Sequence, residues 1–269
     1  DSRKLIKTNS AFGFAAVNFS LTNDKIAYTI KASHQQLFLA PGFISSDDQG
    51  NTTTLGRGGS DYTAAIFAAA VNASSLEIWT DVTGMMTADP RWVPAAKTIP
   101  HTSYQEAMEL SHFGAKFIYP PTIQPVMQKN IPTWVKNTFA PGEAGTVIES
   151  ATDHEGEMIT GISSINAIAL LSLEGSGMVG IPGFSKRLFE ALASEKINVI
   201  LITQSSSEHS ICVGINTADA AKAKLAVDNA FETEIHQGRV EPLKLENELS
   251  IIALVGDKMK SHPGISGRM

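Results

Sequence analysis

Six consecutive residues carry most of the chemistry this chain can offer: Gly56, Arg57, Gly58, Gly59, Ser60 and Asp61. Glycine lets a backbone approach a ligand closely and adopt positive φ. Arg57 sets a planar, permanently charged fork inside the turn, a shape suited to the paired oxygens of carboxylate and phosphate. An alanine-rich stretch follows Ser60 and Asp61. A helix starting there aims unpaired N–H groups and the positive end of its dipole at the same spot. The combination reads as an anion cradle. It is not a phosphate loop of the G-x-x-x-x-G-K-[ST] type, because no Lys-Ser or Lys-Thr follows the glycines. Nor is it a nucleophile elbow, because Ser60 lacks the G-x-S-x-G flanks. The plainer reading of the same residues is a strand-to-helix connection capped by Ser60 or Asp61.

Such a cradle needs elements to hold it. Thr52, Thr53 and Thr54 form a β-branched run that, with Leu55, reads as the strand entering the turn. Tyr62 to Ala73 has the alanine density of a helix packed tightly on a sheet. Leu76 to Val82 reads as a buried strand with Thr80 and Asp81 at its carboxyl end. Strand, helix, strand in this order implies one parallel sheet, and ligands bind beyond the carboxyl ends of such strands. Arg57, Ser60, Asp61, Thr80 and Asp81 would then gather on one rim. In the following loop, Asp89-Pro90-Arg91 makes a turn from which Arg91 could point back at the anion site.

Further along, Ser103-Tyr104-Gln105-Glu106 fits a capping box that opens a helix. Gly114 reads as its C-cap, with Lys116 just beyond. A second helix from Pro121 to Asn130 and a strand from Ile131 to Thr138 follow, and Pro141 to Thr146 closes this part. Upstream, Lys25 to Ala32 alternates as a half-buried strand or short helix would. Pro41-Gly42 breaks an apolar run, and residues 46–51 read as a hairpin tip.

The texture changes at Ile162. Strand, helix, strand, strand, helix is the order of a small ferredoxin-like module. Within it, Gly175 to Gly180 matches the dinucleotide fingerprint G-x-G-x-x-G, which keeps an NAD(P)-dependent oxidoreductase in view. Two observations weigh against it. The next strand ends in Gln204 and Ser205, where a ribose needs a carboxylate. Residues 170–187 also recur at 251–268 with a constant offset of 81, pairing Leu173/Leu254, Gly175/Gly256, Met178/Met259, Pro182/Pro263, Gly183/Gly264 and Arg187/Arg268. Lys258 and Ser261 replace the second and third fingerprint glycines. What is duplicated is a strand, loop, Pro-Gly and helix, not a pyrophosphate loop.

Composition narrows the class. The 269 residues, 43% hydrophobic and 18% charged, suit two soluble domains with ample core. A net charge of −6 without a basic run argues against a nucleic-acid partner. Cys212 is the single cysteine, so there is no disulfide framework, and its apolar surroundings read it as a small buried hydrophobe. The seven histidines form no i, i+4 pair, and no protein-held metal is expected. No stretch approaches the roughly 18 apolar residues of a membrane helix, and no signal peptide appears, which points to the cytoplasm. Both ends look cut, and a fragment is expected.

Residues 54–65, 79–91 and 103–116 together resemble aspartate kinase of the amino acid kinase superfamily, and residues 201–211 are similar to the threonine-sensitive bifunctional aspartokinase–homoserine dehydrogenase group. The resemblance implies an α/β fold. Residues 1–149 would be the carboxyl half of a kinase domain, with a parallel-rich sheet sandwiched by helices. A linker would span 150–161, an ACT regulatory domain of βαββαβ type 162–246, and the start of a second ACT repeat 247–269. It implies that Arg57 binds a carboxylate of L-aspartate and that Ser60, Gly58 and Gly59 hold substrate or phosphoryl oxygens. Asp61 would orient the loop and the catalytic lysine. Thr80, Asp81, Met86, Arg91 and Lys116 would serve ATP, which brings Mg²⁺. Ile202 and Gln204 would contact a free amino-acid effector, threonine or lysine.

The resemblance further implies a homodimer or higher oligomer through ACT repeats, and NADP only if a dehydrogenase domain follows. Two departures stand out: Met86 where the family usually has tyrosine, and Tyr119 where it usually has histidine. The family's Lys-Phe-Gly-Gly and Arg-Gly-Glu segments are not among these residues, so the fragment alone is expected to be inactive. A sensing protein without catalysis is the rival from another class.

Overall fold

Short capped elements open the chain. Asp1 and Asn18 precede α1 (Ser2–Leu5) and α2 (Phe19–Lys31), and their side chains accept from the N–H groups of Arg3 and Leu21. The ambiguous stretch from Lys25 is therefore helical. β1 (Ile44–Ser46) and β2 (Thr52–Thr54) pair antiparallel. The hairpin tip between them turns on buried Asp47, whose carboxylate accepts from the N–H groups of Gln49 and Asn51 at 3.1 and 2.8 Å. The computed structural model describes residues 1–113, 120–150, 158–178, 180–204, 209–257, 259, 262–265 and 267. They form two units, Asp1–Ser163 with Ala253–Met269, and Ser164–Ile252.

In the first unit, α3 (Gly59–Val71) follows the glycine turn and is buried on two sides. Ile66 joins Ile6, Ile26 and Leu55 in one cluster. Ala65 and Ala68 join Leu76, Ile78, Ile123 and Ile148 in another. A helix that is apolar all round belongs between two cores. Next come β3 (Leu76–Thr80), β4 (His101–Ser103), α4 (Tyr104–Phe113), α5 (Pro120–Met127), β5 (Thr133–Asn137) and β6 (Thr146–Glu149). Their sheet has the order β3-β5-β6-β4, parallel at β3/β5 and β4/β6 and antiparallel at β5/β6.

The sequence reading put the strands on either side of α3 into one parallel sheet, and the structure differs. β2 pairs with β1, while β3 pairs with β5. The backbone groups of β2 are already used: β1 takes one edge, and Thr54 O on the other side accepts from Ala15 N–H at 3.0 Å. β4 and β6 are too short for periodicity to reveal, and the sequence reading missed both.

The second unit is built from most of β7 (Gly161–Glu174), α6 (Phe184–Ser194), β8 (Val199–Gln204), β9 (Ser210–Asn216), α7 (Ala220–Ala230), α8 (Glu232–His236) and most of β10 (Lys244–Val255), in the sheet order β10-β7-β9-β8. Alternate residues Ala169, Leu171 and Leu173 of β7 and Ile211, Val213 and Ile215 of β9 bury one face against Leu188, Leu192, Ala223 and Val227 of the helices. Cys212 falls between those positions. It is half-buried rather than buried, with its Sγ 3.2 Å from Ser172 Oγ.

The offset of 81 holds in the backbone as well. Ala167 and Glu248 both adopt positive φ, 59° and 60°. Thr160 N–H donates to Val255 O at 2.7 Å, and Glu241 N–H donates to Glu174 O at 2.8 Å, each atom replaced by its counterpart. A Cβ on Gly175 would come within 2.4 Å of Arg239 O, and one on Gly256 within 2.2 Å of Met158 O. Gly177 also packs on Arg239. The first two fingerprint glycines therefore have a packing cause, and no pyrophosphate is needed to explain them. β10 is one strand across the boundary drawn from sequence at 246/247. Gly114, Lys116, Tyr119, residues 151–157 of the linker, Ser205, Lys258, Ser261 and Arg268 lie outside the described residues. Among the described residues, no helix is long and apolar enough to cross a membrane.

Candidate functional site: an anion cradle at the start of α3

Gly56 and Gly58 adopt φ of 74° and 67°. That left-handed region strains most side chains and suits glycine. Gly59 N–H donates to Gly56 O at 3.1 Å and closes the turn. Gly58 is the N-cap of α3, with no side-chain cap, and Tyr62 N–H donates to Gly58 O at 2.9 Å. Neither Ser60 nor Asp61 caps the helix. Their own N–H groups have no acceptor among the described residues. A helix N-terminus left open in this way is a donor surface for an anion.

Two other segments press on the turn. Phe43 adopts φ of 73°, rare for a bulky residue. Its N–H is held by Gly59 O at 3.3 Å and by Thr63 Oγ1 at 3.0 Å. A Cβ on Gly42 would lie 2.9 Å from Ser60 Cα, and one on Gly59 2.8 Å from the Phe43 ring. The Pro41-Gly42 break read from sequence therefore lies against the start of α3. The sequence reading missed the other segment. Phe14 packs so closely on Gly56 that a Cβ there would lie 2.3 Å from its ring, and the rest of Phe14 stays exposed. The available signal was Gly13 between two phenylalanines.

The charges in the cradle are not neutralised internally. Arg57 is exposed, and among the described residues it has no ion-pair or hydrogen-bond partner. Asp61 is half-buried and equally without a partner, and burial pushes its carboxyl above the ordinary range. Burial raises the neighbouring Tyr62 phenol too. Ser60 is exposed. A guanidinium, open N–H groups and a carboxyl whose ionisation is opposed by burial can bind an anion and orient it.

The short link from Asn72 to Ser75 reverses the chain, and β3 packs back along α3 through Leu76, Ile78, Ala65 and Ala68. β3 belongs to a different sheet from β2, the strand that enters the glycine turn, and it ends at Thr80. There Thr80 Oγ1 donates to Asp81 Oδ1 at 3.1 Å, with Asp81 exposed. No described hydrogen bond or ion pair joins Thr80 or Asp81 to the turn. Met86 is half-buried and bridges Thr98. Arg91 does not reach back. Asp89 holds its guanidinium at 2.6 Å, and that pairing draws the Asp89 carboxyl below its usual range.

In the second unit, a cavity of about 330 Å³ is lined by Met178, Gly180, Pro182, Gly183, Ser185 and Gln204. Gly183 is the N-cap of α6, again with no side-chain cap. Ile202 does not line this cavity. It sits 59% exposed on β8, at the edge of the sheet.

Known proteins resemble this chain over both of its parts. The amino acid kinase family matches residues 2–137, and an ACT domain matches residues 171–231. The bifunctional aspartokinase/homoserine dehydrogenase of Haemophilus influenzae is 45% identical over 235 residues, 87% of this chain and 29% of that protein. The crystal structure of Escherichia coli aspartokinase III with aspartate and ADP superposes with a TM-score of 0.79 at 33% identity, covering 99% of this chain and 59% of that one. The same enzyme with lysine and aspartate gives 0.75 at 35%, covering 95% and 56%. The chain thus spans about three tenths of the length of the bifunctional relative. On the match across its first 137 residues, the chain belongs to the amino acid kinase family.

Proposed function

We propose that the protein containing this chain is an aspartate kinase, transferring the terminal phosphoryl group of ATP to the side-chain carboxylate of L-aspartate. One observation carries the reading: among the described residues, the Arg57 guanidinium has no partner and stands beside a helix end whose N–H groups lack acceptors. Two anions must meet in this reaction, and the cradle offers a planar fork for one and backbone donors for the other. Arg57 binds an aspartate carboxylate. Ser60 and the adjoining N–H groups hold substrate or phosphoryl oxygens, with Gly58 and Gly59 leaving the backbone room to do so. Asp61 orients the loop. Thr80, Asp81, Met86 and Lys116 serve the nucleotide, and Arg91 does so once its guanidinium parts from Asp89. Mg²⁺ arrives with ATP and offsets the charge of its phosphates.

Residues 1–149 are read as the carboxyl half of the kinase domain, 162–246 as an ACT domain and 247–269 as the opening of a second repeat. The effector is a free amino acid bound beside Gln204, whose amide can serve both its ammonium and its carboxylate. Threonine is favoured by the likeness to bifunctional enzymes, and lysine is the alternative. Exposed Leu201 and Ile202 on β8 suit pairing of two copies through their ACT sheets. If the parent is bifunctional, a homoserine dehydrogenase domain using NADP would follow this chain. The test is ADP release coupled to a dehydrogenase readout. Turnover by the intact protein with L-aspartate, and none with L-glutamate, supports the reading, and ADP release indifferent to aspartate removes it. Residues 1–269 by themselves lack the Lys-Phe-Gly-Gly and Arg-Gly-Glu segments and are expected to be silent in the same assay.

A further inference from the structure

We propose that Glu106 is a positioning residue that passes amino-acid binding in the second unit on to the kinase site, an inference resting on the regulatory reading above. Glu106 is only 2% exposed, in the first turn of α4. Burying a carboxylate is costly unless donors surround it. Its two oxygens face different parts of the chain. Oε2 accepts from Thr102 Oγ1 at 3.2 Å and Ser103 N–H at 3.1 Å, while Glu106 N–H donates to Ser103 Oγ at 3.1 Å. That is the capping box, and one oxygen suffices for it. Oε1 accepts from the Thr160 hydroxyl and from Asp257 N–H, the latter at 3.0 Å.

Thr160 immediately precedes β7, and Asp257 follows just after β10. Both strands continue into the second unit, where they are neighbours in its sheet. One carboxylate thus fastens the first turn of α4 to the leads of both strands, through charge-assisted bonds. α4 in turn leads to Lys116, the residue assigned to the nucleotide. A cavity of about 440 Å³ beside the clasp, lined by Gln105, Glu109, Gly256, Asp257 and Met259, leaves the Asp257 turn space to shift. A movement of the strand leads on effector binding is carried through Oε1 to α4.

Thr160→Val in the intact protein removes one donor to Oε1 and keeps the side-chain shape. The expected result is kcat and KM for aspartate and ATP within about twofold of wild type. The threonine concentration for half-inhibition, or that of lysine if lysine is the inhibitor, should rise about fivefold or more, the scale of one lost hydrogen bond. Thr160→Ser should restore it. An unchanged half-inhibition concentration in Thr160→Val overturns the proposal. So does lost basal activity in Thr160→Val that Thr160→Ser rescues, since the hydroxyl would then serve the fold alone. If neither amino acid inhibits the wild type, the sensing reading falls and takes the coupling with it.

Discussion

Asp61 sits in the first turn of α3 with its carboxyl half-buried and unpartnered among the described residues, an arrangement that opposes its ionisation. Because its folded pKa lies above the unfolded value, the native state holds the proton more tightly than the unfolded chain. Ionising Asp61 therefore lowers stability as pH rises through the window between the two values. Solvent access to the group keeps the effect small. Asp61→Asn in the intact protein should raise the apparent Tm at pH 7 by about a degree or two. The gain should vanish as pH falls below the carboxylate range, and kcat should drop at the same time. Thermal melts across pH check this, and a variant less stable at pH 7 would show that the carboxylate is held by something favourable. The charged residues of the cradle were legible because glycine, arginine and aspartate announce themselves. Phe14 and Phe43 were not, since apolar residues in loops carry no sign of what they press against.

Among the elements, β6 shows how short pieces escape a sequence reading yet position a site. Its first residue, Thr146, is fully buried. Thr146 Oγ1 donates to Ile99 O at 2.6 Å and accepts from Met85 N–H at 2.8 Å, pinning the loop that carries Met86. Thr146→Val keeps the shape and strands two buried backbone groups. The loss should be roughly 2–4 kcal/mol, read by chemical denaturation. A loss under about 0.5 kcal/mol would mean that water replaces both bonds. The longer elements were readable for the opposite reason. The capping box at Ser103 and Glu106 forms reciprocally, and the alternation in β7 and β9 matches their buried faces. Sheet pairing was the part that failed. Strand order through α3 suggested a shared sheet, but hydrogen-bond partners for three-residue strands are set by local turns, which spacing does not encode.

At the scale of the whole chain, the repeat is legible in the sequence as identities 81 residues apart, while its backbone counterpart, the matched αL positions and exchanged hydrogen bonds, shows only in the fold. The fold explains the first two glycines of the fingerprint by packing, a distinction the motif alone leaves open. The kinase reading depends on Arg57 gripping an acidic substrate from beside the open end of α3. The most direct test is steady-state kinetics of Arg57→Ala in the intact protein. Losing a charge-assisted pair of about 1.5–3 kcal/mol should raise KM for aspartate roughly 10- to 150-fold and leave KM for ATP within about threefold. An aspartate KM equal to that of the wild type would contradict the account.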